Sequence, residues 1–111
     1  MGRQGELVTG SIDSLLLCLL GQQPMYGYQI IRELQKRSQG YFQYKEGTLY
    51  PALHRLEKAG LLEAKWENAA PGRQRRYYQL TANGLAMCSE KRTQWINFIT
   101  AMNTIIAPNL T

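Results

Sequence analysis

Apolar side chains recur every three or four residues in three segments of the first half of the chain, a spacing typical of half-buried helices. The first helix is predicted over 11–21, with Ser11 as its N-cap. The second is predicted over 27–38 and ends near Gly40. The third is predicted over 46–59. Together they indicate a chain that opens with three short amphipathic helices.

The third helix contains Pro51, which lacks a backbone donor and is tolerated best in the first turn of a helix. We therefore expect this helix to begin close to Thr48, with Gly47 just before it. Gly60 is expected to end it, because glycine commonly follows the last helical residue.

The period then changes from helical to alternating, which predicts a β-hairpin. The first strand is predicted over 62–67, and its alternation places Trp66 on the core side. Residues 69–72 are turn formers, and the second strand is predicted over 75–80. Three arginines make this end of the hairpin basic: Arg73, Arg75 and Arg76.

A long last helix is predicted from an N-cap at Thr81 to about Ile106. Its apolar positions alternate in steps of three and four, as in a coiled coil, with Arg92 in the missing slot. At 1.5 Å per residue the helix would span roughly 37 Å, more than one small domain covers. We expect the stripe to pair with a second copy of the chain. The predicted dimerisation residues are Leu85, Cys88, Trp95, Ile99, Met102 and Ile106.

This order of elements is that of a winged helix-turn-helix, so the fold class is mainly α with a small β-hairpin wing and a long C-terminal dimerisation helix. The DNA-binding domain is predicted over 11–81 and the dimerisation helix over 82–107. The third helix would enter the major groove, while the wing reaches phosphates or an adjacent groove. The residues expected to contact DNA are Lys45, Gly47, Thr48, Tyr50, His54, Arg55, Arg73, Arg75 and Arg76. For Tyr50 a packing role is an equal alternative.

Composition agrees with a polyanionic partner, since the 111 residues carry a net charge of +5 and the sequence pI is about 9.4. The one histidine and two cysteines are too few for a structural zinc site, and the sequence offers no catalytic set, so we expect no cofactor, no metal and no enzyme. Cys18 and Cys88 are read as buried thiols, with redox sensing as the alternative. The apolar run at 15–20 is too short to span a membrane, which favours a cytoplasmic protein.

Three motifs carry a resemblance to a known family. They are Tyr26-Gly27-Tyr28, the segment GTLYPALHRLEKAGLL at 47–62, and GRQRRYYQLT at 72–81. Together they resemble PadR-type transcriptional regulators, and the single C-terminal helix resembles the short-tailed branch of that family. The resemblance implies a homodimeric repressor that pairs through the last helix with help from the first. It also implies a pocket for flat aromatic compounds at a tryptophan matched by Trp95.

Two functions follow as hypotheses. In the first, the protein is a homodimeric repressor of an inverted-repeat operator, released by a small planar aromatic effector that binds at Trp95 and Ile99. The residues around Trp95 depart from the family pattern at Arg92 and Ile99, so the pattern does not fix the ligand class. In the second, the winged helix is a protein-interaction or architectural module without an effector.

Overall fold

The computed structural model describes the backbone of residues 2–110 and the side chains of residues 11–68 and 70–109. Four helices and a three-stranded sheet make up this part of the chain. In chain order they are α1 (Gly2–Leu20), β1 (Met25–Tyr26), α2 (Gly27–Arg37), α3 (Glu46–Lys58), β2 (Leu62–Ala70), β3 (Arg73–Leu80) and α4 (Ala82–Ile106), followed by a 3₁₀ turn at Pro108–Leu110. The predicted fold class, winged helix-turn-helix with a long last helix, is confirmed.

The predicted start of the first helix is wrong, because α1 begins at Gly2 and Ser11 lies inside it. Ser11 is buried, and its hydroxyl lies 3.4 Å from the Tyr44 hydroxyl. A serine ahead of an apolar stripe is compatible with an N-cap and with a small buried position inside a helix. The contact with Tyr44 shows that the second arrangement holds.

The third helix begins at Glu46, as the predicted span 46–59 has it, and not close to Thr48, where the position of Pro51 led us to expect its start. Its N-cap is Lys45, whose carbonyl accepts from the backbone N–H of Thr48 and of Leu49 at 3.0 and 2.9 Å. Thr48 is therefore a helical residue and not the cap. Pro51 leaves the carbonyl of Gly47 without its helical donor, and the exposure of Gly47 lets water replace that bond.

The sheet has the strand order β1-β3-β2, and both pairs are antiparallel. The predicted hairpin is present, with Leu62 opposite Leu80 and Ala64 opposite Tyr78. The two-residue strand β1 was not predicted. It pairs Met25 with Tyr78 and so covers the open edge of β3, but two residues are too few to show an alternating pattern.

The core lies between the first three helices, the sheet and the first turns of α4. Its fully buried side chains include Leu16, Leu17, Ile30, Leu49 and Leu53. The predicted cap of α4 is confirmed, since the Thr81 hydroxyl accepts from Gly84 N–H at 3.0 Å and donates to the Gly60 carbonyl at 2.6 Å. Only Gly84 and Cys88 of α4 are buried, and the described chain measures 55 × 30 × 21 Å. The rest of α4 therefore extends beyond the core.

Candidate DNA-binding surface and the exposed face of the last helix

The N-terminal end of α3 is exposed, and its position is set by the buried apolar side chains on the other face of the same helix. Leu49, Leu53 and Leu56 anchor one face in the core. Lys45, Gly47 and Thr48, three of the predicted DNA-binding residues, are consequently exposed at the N-terminal end. The N-terminal end of a helix carries free N–H groups and a partial positive charge, both of which favour a phosphate. Glu46, which the sequence reasoning did not consider, adds a carboxylate to this surface.

The wing ends in a tight turn that presents Arg73. Gly72 has a φ of +75°, a conformation that glycine adopts without strain, and a bulge between Asn68 and Ala70 bends the strand before it. Arg73 is exposed directly after the turn. Its guanidinium makes no ion pair with the described residues, so it stands ready for an anion outside the chain.

The other two arginines of the wing contact side chains nearer the core. Arg75 lies over the ring of Tyr26, with 4.3 Å from its guanidinium carbon to the ring centre. Arg76 donates to the Glu57 carboxylate at 2.9 Å and lies 5.7 Å from the centre of the Tyr78 ring. These contacts hold the Arg75 guanidinium over β1 and the Arg76 guanidinium against α3, instead of leaving the two groups free in solvent.

An open cavity of about 480 Å³ separates α3 from the wing. Tyr50 and His54 of α3 line one side, and Trp66, Arg75 and Arg76 line the other. Two predicted DNA-binding elements therefore meet at one concave surface that is basic and aromatic. Phosphate and sugar groups of DNA match such a lining, since arginine binds phosphate and aromatic rings cover apolar sugar faces.

Tyr50 both packs and faces this cavity. Its ring occupies the space that a side chain would fill at Gly27, where an added Cβ would lie 2.6 Å from Tyr50 Cζ and closer still to the hydroxyl. Burial raises the pKa of Tyr50, and the Glu46 carboxylate raises it further. The hydroxyl therefore stays protonated at neutral pH and keeps a hydrogen to donate.

The prediction that Trp66 points into the core is wrong, since this side chain is 64% exposed. Leu62, Ala64 and Trp66 do share one face of β2, as alternation requires. Only Leu62 is buried, however, because the strand runs past the edge of the core before it reaches Trp66. Trp66 instead faces the cavity between α3 and the wing, which makes it a candidate DNA contact that the sequence reasoning missed.

The last two predicted DNA contacts lie farther along α3. His54 is exposed and lines the cavity. Arg55 is also exposed, but its guanidinium donates to Asp13 of α1 at 2.7 Å. An ion pair this exposed contributes at most about 1 kcal/mol, so it restrains Arg55 only weakly.

Most of the predicted dimerisation stripe on α4 is exposed. Leu85, Ile99, Met102 and Ile106 are exposed apolar side chains, and Ile106 has 67% of its surface free. The face is wider than predicted, because three further apolar residues are also exposed on α4: Ile96, Phe98 and Ile105. A continuous apolar face of this kind is typical of an interface.

Cys88 does not belong to this exposed set. Cys88 is 3% exposed and lies in the core of its own chain. Almost none of its surface is therefore available for the predicted contact with a second copy. The Arg92 guanidinium lies 3.6 Å from its sulfur, and its thiol also contacts that of Cys18, whose pKa is raised mainly by burial. Both cysteines are free thiols.

Trp95, one of the predicted dimerisation residues, is already half-buried within its own chain. Its ring meets Phe98 edge to face, with 5.7 Å between the centres. Beside it lies a cavity of about 310 Å³ between α1 and α4. Residues lining this cavity include Leu15, Cys18, Phe42, Arg92, Trp95 and Ile99. The two predicted effector-binding residues, Trp95 and Ile99, therefore share one cavity.

Comparison with known proteins agrees with a winged helix-turn-helix that carries a DNA-binding surface. The sequence profile of the transcriptional regulator PadR-like family matches residues 16–90, which is more than half of the chain. This chain belongs to the PadR-like family of transcriptional regulators. As a PadR-family regulator it binds DNA, and none of its described helices is long and apolar enough to cross a bilayer.

Individual relatives show the same likeness. The PadR-family chain is 37% identical to an uncharacterized protein of Lysinibacillus sphaericus over 83% of its own length and 84% of that protein. It is 38% identical to a transcriptional regulator of Mycobacterium tuberculosis, but over only 61% of its own length and 60% of the relative. The structure of a PadR-like transcriptional regulator from Bacillus cereus superposes with a TM-score of 0.82 at 28% identity, covering 92% of this chain and 97% of that one.

Proposed function

We propose that this PadR-family protein is a homodimeric repressor that occupies an inverted-repeat operator and leaves it when a planar aromatic effector binds beside Trp95. The observation that carries the proposal is the apolar face of α4, which continues past the core and leaves Ile105 83% exposed. A monomer would hold this face in water at a cost of about 25 cal/mol for each Å² of apolar surface. A second copy of the same helix covers it.

In this proposal the DNA-binding unit comprises residues 11–81 and the dimerisation helix residues 82–107. The N-terminal end of α3 reads the major groove, and the wing binds the adjacent backbone. Arg73 has no partner among the described residues, so it supplies charge to DNA at no internal cost. Arg55 can exchange Asp13 for a phosphate because their ion pair is exposed.

A two-fold axis through paired α4 helices places two copies of α3 on one side of the dimer. Recognition helices of such dimers bind half-sites about 34 Å apart, one turn of B-DNA. The operator must then be an inverted repeat, because the protein symmetry is repeated in the sequence it binds. A bound dimer excludes other proteins from that stretch of DNA, which is the basis of repression.

The proposed effector site is the cavity between α1 and α4. This cavity is lined by residues of α1, which is part of the proposed DNA-binding unit, and of α4, the proposed dimerisation helix. A ligand bound there would therefore contact both units. Such a ligand releases the operator only if it binds the two dimer geometries unequally. A flat ring against the Trp95 indole would provide that contact.

We expect Arg73→Gln to reduce the salt dependence of DNA binding. If each wing neutralises one phosphate, a dimer loses two contacts, and the slope of log K against log salt becomes shallower by about 1.8. Titrations of a duplex by fluorescence anisotropy at several salt concentrations measure this slope. The matched control is Arg37→Gln, which removes the same charge from α2 where Arg37 pairs with Glu33 at 2.9 Å. An Arg73→Gln slope equal to that of the control would remove this arginine from the DNA surface.

A further inference from the structure

Two cysteines from different helices meet beside the core. Cys18 lies on α1 and Cys88 on α4, and their side chains interact directly. Gly21, just after the end of α1, leaves room for the Cys88 side chain, since an added Cβ there would lie 3.2 Å from the Cys88 sulfur. Both thiols are free. The fold therefore brings together two groups that are able to form a disulfide between α1 and α4.

The two thiols differ in access. Cys18 is half-buried and lines the cavity of about 310 Å³ between α1 and α4. Cys88 is 3% exposed. A molecule as small as hydrogen peroxide fits this cavity and reaches Cys18 through it, whereas the core covers Cys88. Cys18 is therefore the thiol that meets an oxidant first, and Cys88 reacts only with its neighbour.

Arg92 supplies positive charge to this pair of thiols. Its guanidinium donates to the Cys88 sulfur at 3.6 Å, and its side chain lines the same cavity as Cys18. No carboxylate in the described part of the chain forms an ion pair with Arg92. A cation beside a thiol favours the thiolate, which is the reactive form. A cluster of two thiols and one unpaired guanidinium thus has both the access and the charge that reactive cysteines need.

Burial opposes this effect at Cys18. It raises the pKa of the Cys18 thiol, the neighbouring Cys88 raises it further, and Arg92 lowers it. Most of the Cys18 side chain is consequently protonated at neutral pH, and its reaction with an oxidant is slow. Such a thiol responds to sustained oxidant and not to traces of it.

We infer that Cys18 and Cys88 form a thiol–disulfide switch, in which hydrogen peroxide links α1 to α4 within one chain. The Cys18 thiolate attacks one peroxide oxygen, the O–O bond breaks, and the other oxygen takes a proton and leaves as water. The sulfur is now a sulfenic acid. The Cys88 thiolate attacks that sulfur, the S–S bond forms, and the hydroxide that leaves is protonated to a second water. The two thiols lose two electrons in total, and the peroxide gains them.

The consequence for DNA binding rests on the proposed function, because it requires α4 to pair the two subunits. A disulfide holds its sulfurs about 2.05 Å apart, closer than two thiols in contact, so α4 must move toward α1 at Cys88. From there α4 continues for roughly 27 Å to Ile106, and none of its described residues after Cys88 is buried. A change in its direction at Cys88 therefore displaces the part that pairs, and the two α3 helices no longer match the spacing of the half-sites.

The first test detects the disulfide itself. Reduced protein is treated with excess hydrogen peroxide, unfolded in denaturant and exposed to iodoacetamide, which alkylates free thiols. We expect both cysteines to escape alkylation together and the intact mass to fall by two hydrogens. Digestion with trypsin without reductant should release peptides 4–32 and 77–91 joined to each other. Dithiothreitol should separate them and restore both thiols.

Single variants assign the reaction to these residues. Cys18→Ser should leave Cys88 reduced under the same treatment, because the core shields it from peroxide. Arg92→Gln should slow formation of the joined peptides several-fold. The matched control is Lys91→Gln, which removes the same charge from the neighbouring position, where Lys91 lines a separate groove with Trp95 and Phe98. That variant should react as fast as wild type.

The second test measures DNA binding by gel shift on a duplex selected from random sequence. We expect oxidised wild-type protein to bind about tenfold more weakly than reduced protein, within the range typical of coupling between two sites. Dithiothreitol should restore the affinity. Cys18→Ser controls for oxidation of other side chains such as Met102, because it keeps them and cannot form the disulfide. Its affinity should not change after peroxide.

The outcomes separate the switch from the function beneath it. Sulfinic acid at Cys18 with Cys88 unmodified, or a disulfide between two chains, overturns the intrachain pair. The intrachain disulfide with unchanged affinity for DNA overturns its role as a switch. Equal rates for Arg92→Gln and Lys91→Gln overturn the role of Arg92. A reduced protein that is monomeric or binds no inverted repeat overturns the proposed function, while the joined peptides still establish the disulfide.

Discussion

Replacing Met102 and Ile106 with aspartate is expected to convert the proposed dimer to monomers and to weaken binding to the proposed operator by about 100-fold or more. Both side chains are exposed on the apolar face of α4, at 41% and 67%. In the dimer each new carboxylate would be buried without a partner, which costs several kcal/mol. A monomer binds one half-site and loses the gain in affinity that comes from linking two. Sedimentation equilibrium and a gel shift on the same samples measure the two effects.

The control for this double variant adds the same two negative charges to α4, but on the face opposite the apolar one. Thr93→Asp with Asn97→Asp adds two carboxylates at the same spacing to the opposite, polar side of α4, where both residues are exposed. We expect that protein to remain dimeric and to bind DNA nearly as wild type does. Circular dichroism establishes that both variants keep their helices. A dimer that survives Met102→Asp with Ile106→Asp would show that the subunits pair through another surface.

Replacing Gly84 with alanine is expected to have the largest effect on stability of any single methyl group added to α4. An added Cβ would overlap the backbone carbonyl oxygen of Leu61 and lie 3.1 Å from the Leu61 carbonyl carbon. A backbone carbonyl cannot move aside as a flexible side chain does, so α4 must shift away from the turn between α3 and β2 that contains Leu61. We expect a loss of about 2 kcal/mol or more, which corresponds to a fall in Tm of about 10 °C.

Gly47→Ala is the matched control, because it adds the same methyl group to a helical glycine with nothing within 4 Å. Alanine favours helix over glycine, so this variant should gain about 0.5 kcal/mol. Thermal melts at one protein concentration compare the two, since the Tm of the proposed dimer would depend on concentration. Equal melting temperatures would mean that α4 does not pack on the Leu61 carbonyl as described.

The sequence predicts the helices of the core because their apolar stripes have a regular period. It predicts their starts less well. Ser11 has the residue type of an N-cap, yet a neighbour 33 positions away, Tyr44, buries its side chain inside α1. Pro51 has the character of a first-turn residue, yet the exposed end of α3 tolerates it six positions into the helix. Local patterns do not contain these tertiary contacts.

The sequence also fails to predict parts of the candidate site, because these too depend on tertiary packing. Alternation correctly places Trp66 on the face of Leu62, but the core ends along β2 between Leu62, which is 2% exposed, and Trp66, which is 64% exposed, and no local pattern marks that point. A strict heptad pattern likewise recovers Ile99 and Met102 while it misses Phe98 and Ile105, because the apolar face of α4 is wider than a coiled-coil seam. At the start of α3, Lys45, Gly47 and Thr48 are exposed as expected, and so is Arg73 at the wing tip. Arg75 and Arg76 are partly buried, because they contact Tyr26 and Glu57, which local sequence does not indicate.

Selection of binding sites from random duplex DNA tests the central claim most directly. The 111-residue protein is incubated with the pool, bound duplexes are recovered over several rounds, and the enriched sequences are aligned. A homodimeric repressor with one α3 in each half-site predicts an inverted repeat with half-site centres about 10 base pairs apart. Enrichment of a single unsymmetrical site, or recovery of duplexes without any shared sequence, would contradict the account and favour an architectural or protein-binding role for the winged helix.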